Sequence, residues 1–226
     1  MLSFLHMEAT SLKQYRAILF DLDGTLIDTN ELIVSSFLHT LEQHTPGKYT
    51  REDVLAIMGR PLLEQMQIFD PKQAEEMVKT YQIYNVEKHD ELVRDFPKVR
   101  EVLHDLYQSG ILLAVVSNKR RKVVEMGLKL YGLDQWMSSI VCAGEGIPAK
   151  PKPDMLQVAL EELGVQATEA LMVGDTKYDV IAGKLAGVDQ VAVGWSLHPE
   201  ELRKESPSYW IEEMPELRNV VLGKGR

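Results

Sequence analysis

Five short stretches of the chain run apolar position after position before a polar residue or a glycine: AILFD (17–21), ILLAVVSN (111–118), SIVCA (139–143), ALMVGD (170–175) and QVAVGW (190–195). A strand with one wet face alternates, whereas an unbroken apolar run predicts a parallel strand covered on both faces. The segments between these runs carry apolar residues at helical spacing and stop at glycines. VREVLHDLYQSG closes at Gly110, KRRKVVEMGLKLYG at Gly132, PDMLQVALEELG at Gly164 and TKYDVIAGKLAG at Gly187. Glycine is favoured just past a helix end because the chain turns left-handed there. Strand and helix in alternation predict an α/β domain built on a doubly wound parallel sheet.

One block breaks this rhythm. From about Glu31 to Arg94 no strand pattern occurs. ELIVSSFLHTLEQH places Val34, Phe37, Leu38 and Leu41 on one helical face, and REDVLAIMG and PKQAEEMVKTYQIYNVEKHDE read as further helices. A helical stretch of about 60 residues is too long for a simple crossover. It predicts an all-α helical cap, residues 29–94, inserted into an α/β core made of residues 1–28 and 95–226. The opening MLSFLHMEATSLKQ lacks the basic start of a secretion signal and reads as a frayed extension ahead of the first strand.

Composition narrows the partners. The chain has 226 residues, 45% hydrophobic and 26% charged, so it is large enough to bury a core without covalent staples. A net charge of −9 argues against broad binding to nucleic acid or to anionic membranes. No apolar run approaches the roughly 20 residues of a membrane span. Cys142 is the single cysteine. It cannot form an internal disulfide, which suits a cytoplasmic location, and its SSIVCAG context reads as a buried strand rather than a nucleophile. Six histidines are scattered without ligand spacing, so no zinc site is expected.

The informative feature is where the acids fall. Ligands of doubly wound folds bind beyond the carboxyl ends of the strands. At those ends lie Asp21 and Asp23 with Gly24 and Thr25, then Ser117, Asn118 and Lys119, then Lys150 in AKPKPD, then Asp175 and Asp179 in GDTKYD. Carboxylates this close repel one another, and a bound divalent cation offsets that repulsion. An oxygen-rich acidic set suits Mg²⁺. Asp21, at the strand tip, is placed to attack phosphorus and form an aspartyl-phosphate. Asp23 can protonate the leaving oxygen and then deprotonate water. Gly24 permits the tight turn between strand and loop, and Thr25 is expected to hydrogen-bond within that loop. Asp175 completes the metal site, Ser117 and Asn118 donate to phosphate oxygens, and Lys150 binds the phosphate and screens the nucleophile.

DLDGT (21–25), VVSN (115–118), KPKP (150–153) and GDTKYD (174–179) resemble, in order and spacing, the four motifs of the haloacid dehalogenase superfamily. The resemblance covers nearly the whole chain and implies a Rossmann-like core, with the helical insertion after the first motif as its cap. It implies Asp21 as nucleophile and Asp23 as general acid/base whose backbone carbonyl also binds Mg²⁺. Ser117 and Lys150 then take the second- and third-motif roles, and Asp175 is a metal ligand with Asp179 and Thr25 in support. The metal set is thus Asp21, Asp23 and Asp175, and Mg²⁺ is the expected cofactor.

The chain is similar to the phosphoglycolate phosphatase and pyrophosphatase branch of that superfamily. VVSNK and the cap loop GRPL resemble the bacterial pyrophosphatases of this fold. Trp195 departs from the residue many relatives carry after the last strand. The expected function is a Mg²⁺-dependent phosphohydrolase acting on a small phosphorylated metabolite, inorganic pyrophosphate or phosphoglycolate. In the cap, MGRPL (58–62), with Gly59 and Arg60, resembles the family's cap loop that leans over the active site. Either Arg60 reaches a second anionic group of the substrate, or Gly59 and Pro61 only separate two helices and Arg60 is solvated. Lys119 is expected to face the site, and Arg120, Arg121 and Lys122 to form a solvated helix start. Two alternatives remain. A phosphosugar mutase of the β-phosphoglucomutase type uses the same Asp21/Asp23 pair. A non-catalytic regulator keeps the fold alone.

Overall fold

The computed structural model describes residues 15–223. The N-terminal extension expected before the first strand lies outside them. In chain order the elements are β1 (Ala17–Phe20), β2 (Ile27–Asp28), α1 (Asn30–His44), α2 (Arg51–Leu55), α3 (Leu62–Phe69), α4 (Ala74–Leu92), β3 (Arg94–Asp95), α5 (Val99–Gln108) and β4 (Leu112–Arg120). They continue as α6 (Arg121–Leu130), β5 (Met137–Ala143), α7 (Asp154–Leu163), β6 (Ala170–Gly174), α8 (Lys177–Ala186), β7 (Asp189–Val193), α9 (Pro199–Lys204), β8 (Tyr209–Ile211) and α10 (Leu217–Leu222).

Six strands form one parallel sheet in the order β5-β4-β1-β6-β7-β8. The apolar runs are unbroken because each strand serves two cores. Ile18 and Phe20 of β1, with Leu113 and Val115 of β4, join the cluster that includes Val102 and Leu106 of α5 and Val124 of α6. Ala17 and Leu19, with Ala114 and Val116, face the opposite cluster of Met155 and Leu156 of α7 and Ala182 of α8. Successive side chains point to opposite faces, so a strand covered on both sides must be apolar throughout.

The chain leaves β1 toward β4 and β5, then returns to the other side of β1 as β6. That reversal makes the carboxyl ends of β1 and β6 a topological switch point, where such sheets bind ligands.

The sheet has one strand more than the five apolar runs. β8 holds three residues beside β7 at the sheet edge, where Tyr209 and Trp210 stay half-exposed and leave no continuous apolar run. A second difference concerns Arg94, expected to fall in a strand-free block. Arg94 and Asp95 form β3, which pairs antiparallel with β2 in the register Ile27↔Asp95 and Asp28↔Arg94. Two residues are too few to show periodicity. This short ribbon carries the chain out of the core and back.

Between the two ribbon strands, α1–α4 surround a core of their own: Val34, Phe37, Leu41, Val54, Met66, Phe69, Met77 and Tyr81. Phe37 is its centre, fully buried, with ring centroids 4.9 Å from Tyr81 and 6.0 Å from Phe69. Ser36 and Thr40 interrupt the apolar face of α1, but their hydroxyls bond back to Leu32 O at 2.6 Å and Ser36 O at 2.7 Å, so burial leaves neither unsatisfied. Among the described residues no helix is long and apolar enough to cross a membrane.

Phe37→Ala removes the largest fully buried side chain of this separate core. It is expected to cost about 3–5 kcal/mol in urea unfolding. A loss below about 1 kcal/mol would show that the four helices do not depend on that core.

Candidate active site

The site is assembled from loops at the carboxyl edge of the sheet. β1 ends at Phe20, yet Asp21 N–H still donates to Val173 O at 2.9 Å, which aims the Asp21 side chain off the strand tip. Leu22 to Ile27 then make one tight turn, with Leu26 N–H and Ile27 N–H both donating to Leu22 O at 2.9 and 3.1 Å. Gly24 sits in this turn at φ +77°, and a Cβ there would collide with the Asp175 carboxylate. Both the dihedral and the close approach of the β6 loop therefore demand glycine.

Lys150 is the hub. Its ammonium, 2% exposed, donates to Asp21 Oδ1 at 2.6 Å, Asp179 Oδ1 at 2.7 Å and Val116 O at 2.7 Å. Three acceptors match the three hydrogens of an ammonium, the condition under which a buried cation is tolerable. Asp179 also caps α8: its Oδ2 accepts from Thr176 N at 3.0 Å and Thr176 Oγ1 at 2.7 Å. One carboxylate thus fixes a helix start and a site lysine together.

Carboxylate oxygens of Asp21, Asp175 and Asp179 all lie within 4.8 Å of one another. Burial pushes the Asp21 carboxyl up to about 7, against the Lys150 ammonium, with Asp179 and Asp23 adding to the rise. Asp175 is raised well above the usual carboxylate range by burial and then by Asp21 and Asp179. Burial by itself would lower the Lys150 ammonium, but Asp179 and Asp21 outweigh it and hold it above its ordinary value. Four carboxylates, counting Asp23, face the two ammonium groups of Lys150 and Lys119. With all four ionised, two negative charges exceed the two ammonium groups. The donor set is all oxygen and its excess charge is that of one divalent cation, so the residues fit Mg²⁺.

The structure distributes the expected residues unevenly. Asp21, Asp175, Lys150 and Ser117 converge, and Asp179 joins the carboxylate cluster directly. The Asp23 carboxylate turns elsewhere: its Oδ1 accepts from Thr29 Oγ1 at 2.6 Å and Lys119 Nζ at 2.5 Å. Of the expected metal set, Asp23 is therefore the member whose side chain stands apart, leaving its backbone carbonyl as the available donor. Thr25, expected to bond within its own loop, instead reaches across to Asp175 Oδ1 at 3.4 Å, because the tight turn carries its side chain toward β6. Asn118, expected to donate to phosphate, is occupied by Lys150. Asn118 Nδ2 donates to Lys150 O at 3.0 Å and Oδ1 accepts from Lys150 N at 2.9 Å. A bulge in β4 between Ser117 and Arg120 takes Asn118 and Lys119 out of the ladder and makes these contacts possible.

A cavity of about 770 Å³ opens above the acids, between them and α1–α4, and its wall includes Arg60, Lys79, Lys119 and Arg120. Gly59, at φ +94°, rests on α8, where a Cβ would lie 3.3 Å from Thr176 Cγ2 and 3.4 Å from the Tyr178 ring. Arg60 is exposed in this wall and its carbonyl accepts from Gln65 Nε2 at 2.7 Å. Arg121 is no free helix start: its Nε bonds Glu145 Oε1 at 2.5 Å and Nη2 bonds Ile140 O at 2.6 Å. Cys142 is fully buried in β5, and burial pushes its thiol up to about 12, so it is no nucleophile.

Residues outside the acidic motifs also reach the site. Thr29 holds Asp23, while Trp195 Nε1 donates to Gly24 O at 3.0 Å and Ser196 Oγ donates to Asp175 O at 2.6 Å. Thr29 carried the weak signal of a hydroxyl one residue before a helix. Trp195 stood out only as a departure from the residue many relatives carry there, and Ser196 carried no signal, since a serine after a strand is ordinary loop chemistry.

The sequence profile of the family described as "Haloacid dehalogenase-like hydrolase" matches residues 18–193. The chain is 42% identical to "Pyrophosphatase PpaX" of Halalkalibacterium halodurans, across 94% of this chain and 100% of that one. It is 43% identical to "Pyrophosphatase PpaX" of Bacillus velezensis, across 92% and 97%. A solved haloacid dehalogenase-like family hydrolase from Streptococcus pneumoniae shares the fold, with a TM-score of 0.82 at 24% identity, covering 90% of this chain and 96% of that one.

The raised carboxyl has a measurable consequence. Without a cation Asp21 keeps its proton up to about pH 7, whereas in the unfolded chain it is lost near pH 4. The native state binds more protons across that window, so this group makes stability fall as pH rises through it. A cation reverses the trend by competing with the proton. The rise in Tm on adding Mg²⁺ is expected to be larger at pH 8 than at pH 5.5 by scanning fluorimetry. A pH-independent rise would remove the acid cluster as the binding site.

Proposed function

The chain belongs to the haloacid dehalogenase-like hydrolase family, and from that premise we propose that it is a Mg²⁺-dependent phosphohydrolase that cleaves inorganic pyrophosphate through an aspartyl-phosphate on Asp21. The observation that carries this reading is the Lys150 ammonium binding Asp21 Oδ1 beside the Asp175 carboxylate at the floor of a cavity whose opposite wall presents Arg60.

Lys150 occupies Oδ1 of Asp21 and so leaves Oδ2 to attack phosphorus. As the new P–O bond forms, the bond to the leaving phosphate breaks, and the Asp23 carboxyl gives its proton to the departing oxygen. Asp23, now ionised, takes a proton from water. The water oxygen attacks the phosphorus, and the Asp21–phosphorus bond breaks to return the free carboxylate. Thr29 and Lys119 hold Asp23 in place for both steps. Asp21, Asp175 and the Asp23 carbonyl would hold Mg²⁺, which supplies charge neutralisation at the phosphoryl oxygens. Ser117 Oγ, which accepts from Lys119 N at 3.2 Å, keeps its own hydrogen to donate to those oxygens.

Residues 29–94 act as the cap that chooses the substrate. Pyrophosphate is small and anionic at both ends, and Arg60 offers positive charge to the end that does not react. The relatives named as pyrophosphatases match this chain over more than nine-tenths of its length, which supports the same substrate here.

Asp21→Asn is expected to lower turnover by a factor on the order of 10⁴ while preserving the circular dichroism spectrum. Retained turnover would reject Asp21 as nucleophile. Arg60→Ala is expected to raise KM for pyrophosphate about 10-fold with little change for an aryl phosphate. Kinetics on a panel with pyrophosphate, phosphoglycolate, acetyl phosphate, nucleotides and β-glucose-1-phosphate test the substrate. A higher kcat/KM for another member overturns the pyrophosphate assignment, and equal effects of Arg60→Ala on both substrates take Arg60 out of recognition.

A further inference from the structure

The loop after β7 contributes no acid and no phosphate ligand, yet it touches both strand-end loops that carry the cation site. Trp195 Nε1 donates to Gly24 O at 3.0 Å. Its neighbour Ser196 donates through Oγ to Asp175 O at 2.6 Å and accepts from His198 N at 3.0 Å. Gly24 is also bound at its other end, where its N–H donates to Ile27 O at 2.9 Å. The Asp23–Gly24 and Gly24–Thr25 peptides are therefore locked in sequence, and the Asp23 carbonyl belongs to the first of them. The Trp195 ring packs on Phe96, centroids 5.7 Å apart, directly after the β3 strand that returns the chain from the cap. This indole is thus wedged between the cap connection and the turn that follows Asp21.

We infer that Trp195 and Ser196 are positioning residues for the divalent cation: Trp195 fixes the Gly24 turn, Ser196 fixes the main chain of Asp175, and together they set the spacing of the two loops whose oxygens bind the metal. This inference rests on the cation assignment made above. The physical need is plain in the unliganded charges. Asp21 and Asp175 repel, so the two loops tend to part, and Gly24 must still lie against the Asp175 carboxylate. Neither contact involves a charged atom of the cluster. Removing one changes how firmly the oxygens are held, not which oxygens are present. Ser196 is the sharper probe because its hydroxyl is a small group, whereas Trp195 also fills space beside Phe96.

The test is isothermal titration calorimetry of Mg²⁺ into the full chain and into Trp195→Phe, Ser196→Ala and Ser196→Thr. Trp195→Phe keeps a ring on Phe96 but loses the N–H. Ser196→Thr keeps the hydroxyl. The expected result is a Mg²⁺ Kd raised about 10-fold in Trp195→Phe and in Ser196→Ala, with circular dichroism unchanged and Ser196→Thr within about twofold of the parent. Parent-like affinity in a folded Ser196→Ala overturns the inference while leaving the cation site intact. Equal weakening in Ser196→Thr also overturns it, because the hydroxyl would then not be the operative group. A parent chain that binds no Mg²⁺ overturns the cation assignment itself.

Discussion

The ammonium of Lys150 is the interaction on which the rest of the site depends. It ties the tip of β1, the middle of β4 and the first turn of α8 at distances of 2.6 to 2.7 Å, and it does so at 2% exposure. Burying an ammonium costs several kcal/mol unless its hydrogens and charge are matched, and here two carboxylates and a carbonyl match all three hydrogens. The dependence runs both ways. Asp21 and Asp179 are both buried, and the Lys150 ammonium stands between them against their mutual repulsion. Even with it, Asp21 and Asp175 sit above the usual carboxylate range. The residual negative charge suits the cluster to a divalent cation.

Support for this hub is layered outward. Asn118 grips the backbone of Lys150 at both its N–H and its C=O, so the lysine enters the core from a fixed direction. Thr176 and Asp179 close the start of α8 on the same carboxylate that meets Lys150. Trp195 and Ser196 hold the two loops beyond. Each contact uses a neutral donor or an amide, which fixes geometry without adding charge to an already crowded set of acids.

Division of labour follows from the packing. The strand-end loops are anchored on a sheet with an apolar cluster on each face. The α1–α4 helices have an independent core and join the sheet through a two-residue ribbon. The acid cluster therefore sits on the sheet side of the cavity, and Gly59 and Arg60 line it from the side joined by few backbone bonds. The contact of Gly59 with Thr176 and Tyr178 brings that loop onto the catalytic side.

Much of this was legible in one dimension. Unbroken apolar runs report strands buried on both faces, glycines report helix ends, and acids at strand tips report where charge gathers. Asp21 and Asp175 followed from those rules because each directly follows a strand, whereas Lys150, seven residues beyond β5, was picked out by the resemblance to a known motif. β8 was silent because a half-exposed edge strand of three residues has no period to read. The partners within the site were silent for a different reason. Thr25 and Asp175, Trp195 and Gly24, Asn118 and Lys150 are 150, 171 and 32 positions apart. Local pattern carries solvent exposure and chain direction, and says nothing about which distant carbonyl an indole or a hydroxyl will meet. The amino-acid order by itself determined the elements and the acids at their ends. Only the folded packing decided that Asp23 faces Lys119 while Asp179 joins Asp21 and Asp175, because that choice is made by repulsion and hydrogen-bond supply among groups brought together from four separate loops.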